Sequence, residues 1–256
     1  MLLALDIGNT NLTLGLYDGE TLTDSWRLET VHTRTEDEYA LLIRQLLAAD
    51  TIAVSAIDGV ILASVVPILT PTVRAAVERV FDVKAKVVGP GFKTKMVVLY
   101  NPPKDVGADR IVNAVAAYER FGTACIVVDF GTATTFDSIT AKGEYAGGAI
   151  APGIHSSMAA LFERAAKLPK VDFSRPSAVI GKSTVESIQS GAFFGYAALV
   201  DGLVTRMKAE MGAEVIRVIA TGGLAPTIAD ASETIEAVDA DLTLEGLRLL
   251  FVRSAS

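Results

Sequence analysis

The chain has 256 residues, of which 50% are hydrophobic, with a formal net charge of −7 and a pI near 5.0. A chain of this size can bury a large core, as one big domain or as two similar lobes. The acidic balance, with no basic run, argues against nucleic acid or anionic lipid as the main partner.

A lone cysteine, Cys125, excludes a disulfide framework or a cysteine zinc site and fits a reducing cytoplasm. The first apolar run stops at Asp6 without a basic leader, so it does not read as a signal peptide. No apolar stretch reaches the length of a membrane span, and a cytoplasmic protein is expected.

In chain order, residues 2–7 read as a buried strand ending on Asp6, followed at once by the turn residues Gly8, Asn9, Thr10 and Asn11. Alternation resumes at Leu12, Leu14 and Leu16, so the segment is a hairpin. Its bend offers backbone N–H groups and hydroxyls to an anion, and Asp6 at the edge suits a cation. A further strand spans 22–28. Thr35-Glu36-Asp37-Glu38 is a capping box opening a helix with Tyr39, Leu42, Ile43, Leu46 and Leu47 on one face. Residues 59–66 form a buried strand, Thr70-Pro71 starts a helix with Val73, Val77 and Val80 inward, and 86–88 is a short strand.

Residues 100–110 carry Pro102, Pro103 and Gly107 just ahead of a helix bearing Ile111, Ala114, Val115 and Tyr118 and stopping at Gly122. Asp109 lies near that helix's N-terminus. It reads either as an N-cap or as a catalytic carboxylate beside Arg110, whose fork suits a carboxylate or phosphate.

The first hairpin has a second copy at Cys125–Asp137. Asp6 aligns with Asp129, Gly8 with Gly131 and Asn9 with Thr132, an offset of 123 residues. Asx-turns at strand ends are common, which is the plainer reading of either segment alone. Two copies at half-chain spacing suggest duplicated lobes, 1–122 and 123–256, each giving one phosphate-facing hairpin to a shared cleft. Strands followed by alternating helices and strands make each lobe mixed α/β.

Gly147-Gly148 and Gly153 permit close backbone approach before a helix with Met158, Leu161, Phe162 and Ala165 inward. His155 and His32 read as structural or solvated, with no second ligand nearby. Gly181-Lys182-Ser183-Thr184 resembles the tail of a P-loop, but Pro176 stands where its first glycine belongs. Ser183 to Glu186 instead caps a long helix reaching about Met211, with Gly191 and Gly195 four apart on one face. Residues 215–220 form a strand running into Gly222-Gly223, bare backbone where a base or ribose could lie, and Thr243 caps a last helix with Leu244, Leu247, Leu250 and Phe251.

Taken together, Asp6-Ile-Gly-Asn-Thr, the Asn101 to Arg110 segment with Val-Gly-Ala-Asp-Arg, Asp129-Phe-Gly-Thr-Ala-Thr-Thr, Thr184-Val-Glu-Ser-Ile-Gln-Ser-Gly and Thr221-Gly-Gly-Leu-Ala resemble type III pantothenate kinase over essentially the whole chain. The resemblance implies the duplicated acetate and sugar kinase/Hsc70/actin-like (ribonuclease H-like) α/β fold, two lobes with mixed sheets flanked by helices. It implies ATP-dependent phosphorylation of pantothenate as the first step toward coenzyme A, by a homodimer.

Carried over residue by residue, Asp6, Ile7, Gly8, Asn9, Thr10, Asn11, Leu12 and Thr13 would bind ATP, with Asp6 near Mg2+. Thr132 would bind ATP phosphate, and Gly222 and Gly223 would flank adenosine. Asp129 would hold a monovalent cation, K+ or NH4+. Tyr100, Gly107, Ala108, Asp109, Arg110 and Thr184 would bind pantothenate, with Asp109 as the base. One departure is Lys182-Ser183, where the family often shows Arg-Asn. A nonenzymatic ATP-binding accessory factor of the same fold is the alternative, against which intact Asp109 and Thr184 argue. A chaperone-like or filament-forming ATPase needs subdomains that 256 residues do not accommodate.

Overall fold

The computed structural model describes residues 1–165 and 167–254. In chain order its elements are β1 (Leu2–Ile7), β2 (Asn11–Asp18), β3 (Thr21–Glu29), α1 (Glu36–Ala49), β4 (Gly59–Ser64), α2 (Thr70–Phe81), β5 (Lys86–Val88), α3 (Ala108–Phe121), β6 (Ala124–Phe130), β7 (Ala133–Ile139), β8 (Tyr145–Pro152), α4 (Ile154–Arg164), α5 (Thr184–Met211), β9 (Ile216–Thr221), α6 (Ala225–Ala229), β10 (Ala237–Val238) and α7 (Leu242–Arg253). Among the described residues no helix is long and apolar enough to cross a membrane.

Two five-stranded sheets form, in the orders β3-β2-β1-β4-β5 and β10-β9-β6-β7-β8. In the first, β1 is antiparallel to β2, β2 antiparallel to β3, and β1-β4-β5 run parallel. The second repeats this: β6-β7-β8 are antiparallel neighbours and β6-β9-β10 run parallel. The duplication read from Asp6 and Asp129 is therefore a duplication of topology, with each aspartate near the end of its central strand.

The chain divides into two compact units, one of residues 1–96, 101–116 and 242–256, the other of 97–100 and 117–241. The boundary falls inside α3, and α7 joins the first unit although it comes last in sequence. A division at 122/123 puts α7 with the second lobe, because an amphipathic pattern marks a helix face without saying which sheet that face will cover.

In the first unit, Leu3, Leu5 and Ile7 of β1 pack with Tyr39, Ile43 and Leu47 of α1 and Val73, Val77 and Val80 of α2. Leu2 and Ala4 on the opposite face pack with Val112 and Val115 of α3 and Leu244, Leu247 and Leu250 of α7. Burial on both faces is why β1 is apolar without alternation. The capping box of α1 forms as read: Thr35 Oγ1 accepts from Glu38 N–H at 3.3 Å, and Glu38 Oε2 accepts from Thr35 N–H at 2.7 Å. Gly246 faces the backbone of Val112, where an added Cβ would collide with its carbonyl oxygen, so the glycine sets how closely α7 approaches α3. Thr243 is not the cap of α7. That helix starts one residue earlier, and the Thr243 hydroxyl donates instead to Asn113 Oδ1 at 2.7 Å.

In the second unit, Ile126 and Val128 of β6 and Phe136 of β7 meet Met158 of α4 and Phe193, Ala197, Val200 and Val204 of α5. Cys125 is fully buried, and burial pushes its thiol up to about 12, so it stays protonated and inert. The glycine-rich 147–153 stretch forms most of β8, paired with β7 through Ser138↔Gly147 and Asp137↔Gly148. Two adjacent glycines hide a strand from propensity, and here the neighbouring strand supplies the order. The long helix ends as expected, on Gly212 at φ 59°.

Candidate functional site

The residues expected to bind ligand fall in both units. In the first, the β1–β2 turn closes with Gly8 N–H donating to Asn11 O at 2.9 Å. Thr30, just past β3, braces it twice: its hydroxyl donates to Gly8 O at 2.7 Å and its N–H to Thr10 O at 2.9 Å. Asn9, Thr10 and Asn11 stand exposed, while Ile7 and Leu12 are buried on either side. The turn is thus a fixed loop of donors on a rigid strand pair. Asp6, half-buried, faces Thr13 across the hairpin.

Gly107, Ala108, Asp109 and Arg110 open α3. Asp109 sits inside the first turn, not at the N-cap, and its Oδ1 accepts from the Arg110 N–H at 2.7 Å. A Cβ at 107 would collide with that same oxygen, so glycine there leaves room for the carboxylate. A helix N-terminus favours negative charge, so the position suits a carboxylate. Arg110 is buried, 7% exposed, and Ala108 packs against the β1–α7 core.

In the second unit the β6–β7 turn is one residue shorter than its counterpart, Phe130 pairing with Thr134 where Ile7 pairs with Leu12. Gly131 N–H donates to Ala133 O at 3.0 Å. The Thr132 carbonyl is held twice by the start of α4, by Gly153 N–H at 3.1 Å and Ser156 Oγ at 3.0 Å. An added Cβ at 153 would run into the Thr132 and Gly131 carbonyls, so only glycine fits. The close backbone approach read for Gly153 is borne out, with the Thr132 turn as its neighbour, whereas sequence reading missed Ser156; the helix start straight after a glycine-rich run was the available signal.

Asp129 pairs across the sheet with Thr135 and Thr221. Gly222, at φ +90°, backs onto it. Gly223 is exposed with open space where a Cβ would be. Among the described residues no three His, Cys, Asp or Glu side chains cluster as metal ligands. A carboxylate with other oxygen donors, as at either aspartate, suits hard ions such as Mg2+ or K+.

Tyr100 ends the 97–100 segment, which runs beside β8. Its ring meets Tyr145 edge-on, centroids 6.5 Å apart. Thr184, exposed, is the first residue of α5, whose cap is Ser183 accepting from Glu186 N–H at 3.2 Å. Glu186 in turn accepts from Lys182 N–H at 2.7 Å. Lys182-Ser183 therefore form a helix cap, and Gly181 packs against the first turn of α5, not around a phosphate. Thr184 lines a hollow of about 800 Å³ with Ser157, Leu161, Ile188, Gly191 and Tyr196.

Two copies of one sheet topology, each headed by a strand that runs through Asp into a Gly-hydroxyl turn, define the actin-like fold class. The same fold occurs in a ROK family glucokinase from Streptomyces griseus, solved with glucose and AMPPNP, at TM-score 0.58 and 12% identity over 98% of this chain and 99% of that one. It occurs in a chain from Campylobacter jejuni described as a Baf family transcriptional activator, at TM-score 0.62 and 19% identity over 99% and 98%. Those likenesses show the fold alone.

Within that class the chain belongs to the type III pantothenate kinase family, whose family model matches residues 2–206. A type III pantothenate kinase of Anaeromyxobacter sp. (strain K) is 57% identical over 254 residues, 99% of this chain and 100% of the relative. One from Geobacter sulfurreducens is 56% identical, covering 99% of each.

Proposed function

We propose that the chain phosphorylates pantothenate with ATP to give 4'-phosphopantothenate, the first step of coenzyme A biosynthesis, in the cytoplasm. The observation that carries this is 57% identity with a relative of that name across 99% of the chain. Asp109 and Thr184 are intact, which favours an enzyme over a nonenzymatic accessory factor.

Phosphoryl transfer to an alcohol is mainly positioning and charge neutralisation. The turns at Gly8–Asn11 and Gly131–Ala133, with Thr132, hold the ATP phosphates; Gly222 and Gly223 flank the adenosine. Tyr100, Gly107, Ala108, Arg110 and Thr184 hold pantothenate, the Arg110 fork matching a carboxylate. Asp109 takes the proton of the acceptor hydroxyl as its oxygen bonds to the γ-phosphorus. The bond from that phosphorus to the β–γ bridging oxygen breaks, and ADP leaves. Asp6 would hold Mg2+ with ATP and Asp129 would hold K+ or NH4+, and these ions would supply the positive charge that a lysine supplies in a P-loop.

The active form proposed is a homodimer. Gly191 and Gly195 are exposed on α5 with open space at each Cβ position, a face shaped for close packing of another helix. Thr184 at the head of the same helix would then reach the partner's pantothenate. The deciding experiment is ATP consumption with and without pantothenate. Turnover only with pantothenate is expected, and pantothenate-independent hydrolysis would refute the reading.

A further inference from the structure

We infer that Asp137 and Tyr145 are positioning residues for the pantothenate acceptor, acting through Tyr100; the inference rests on Tyr100 being a pantothenate contact. Asp137 and Tyr145 are both fully buried. A carboxylate in that setting is tolerable only when its oxygens are well bonded. Tyr145 OH donates to Asp137 Oδ1 at 2.6 Å and Thr135 Oγ1 donates to Oδ2 at 3.1 Å. The first is in the short range of charge-assisted O–H···O bonds.

Tyr145 also carries the 97–100 segment. Its N–H donates to Val97 O and its carbonyl accepts from Leu99 N–H, each at 2.8 Å. The Tyr100 ring then lies edge-on against the Tyr145 ring, at an interplanar angle of 62°. Gly147, at φ +125°, completes the seat: a Cβ there would lie 3.6 Å from Tyr100 Cδ2. One buried residue thus joins an anchored carboxylate to the backbone and the ring of the segment that ends on Tyr100. Without that anchor the 97–100 segment keeps two backbone bonds but its ring support is free to turn. The chain of contacts leads through Tyr145 to Tyr100, so the effect should fall on pantothenate more than on ATP.

The test is steady-state kinetics on Tyr145→Phe, Tyr100→Ala and the double variant, with thermal melts alongside. Loss of one charge-assisted bond predicts a KM for pantothenate raised roughly tenfold in Tyr145→Phe, with the KM for ATP within about twofold. Adding Tyr145→Phe to Tyr100→Ala should cost nothing more, because the two act on one contact. Asp137→Asn, which keeps an acceptor, should be milder than Asp137→Ala. A normal pantothenate KM in Tyr145→Phe while Tyr100→Ala raises it would overturn the inference alone. An equal rise in both KM values would also overturn it, making the pair general support. A normal KM in Tyr100→Ala would remove the reading of Tyr100 and the inference together.

Discussion

Gly222 stands directly behind Asp129: a Cβ built on Gly222 would lie 2.7 Å from Asp129 Oδ1 and 2.6 Å from the Phe130 carbonyl oxygen. Gly222 also holds φ +90°, a backbone conformation that costs an L-residue roughly 1–2 kcal/mol. Gly222→Ala should therefore lower stability by at least about 1 kcal/mol and displace the Asp129 carboxylate. The expected kinetic sign is a raised ATP KM and a weaker response to monovalent cation. A variant with wild-type melting and kinetics would show that the strand end yields freely.

Asp109→Asn keeps the size of the side chain and an acceptor for the Arg110 N–H but removes the carboxylate proposed to accept the hydroxyl proton. Turnover should fall by roughly 10²–10⁴-fold, with ATP still bound, as nucleotide titration would report. Near-normal turnover would reduce Asp109 to a contact that orders the first turn of α3.

If Asp129 holds a monovalent cation, the rate should be high in K+ or NH4+ and low in Na+. Asp129→Ala should remove both that selectivity and most of the activity. Equal wild-type rates in K+ and Na+ would take the cation out of the mechanism.

If the active form is the proposed homodimer, with Thr184 reaching the partner's site, mixing Asp109→Asn with a Thr184 variant defective in pantothenate binding should restore part of the activity, since a heterodimer regains one site with both residues intact. Subunits shown to exchange without any recovery would place Thr184's action within its own chain.

Asp201, on α5, accepts from the Ser232 hydroxyl at 2.6 Å, the Thr234 hydroxyl at 2.8 Å and the N–H groups of Glu233 and Thr234 at 3.1 Å. Desolvation pushes its carboxyl up, but the combined hydrogen bonds from Ser232, Glu233 and Thr234 outweigh it and hold the carboxyl below its ordinary value of 3.8. A depressed folded-state pKa gives stability that is present above the unfolded value and lost as pH falls through the folded one. Asp201→Asn should thus cost about 1 kcal/mol at pH 7, after solvent screening, and the gap should narrow at an acid pH below the carboxyl's ordinary range. Urea titrations at both pH values measure it, and a constant gap would mean that charge plays no part.

Much of the fold was legible because its signals are local. The Thr35 to Glu38 cap depends on residues three apart, and the Asp6 and Asp129 hairpins each place strand, carboxylate and turn within a dozen positions. The repeat offset of 123 residues then pointed to duplicated topology before any strand order was known.

By itself the sequence determined the helices with clear faces, the two hairpins and the identity of the groups at their bends, since backbone preference and apolar spacing act within a few residues. Only the tertiary structure decided partners remote along the chain. It made a strand of 145–152 by pairing it with β7, took Thr243 from a cap to a bond with Asn113, and put α7 on the first sheet against Val112. It also joined Asp137 to Tyr145 and Tyr145 to Tyr100. Burial and hydrogen-bond satisfaction are settled by what packs opposite, and no local pattern encodes which distant segment that will be.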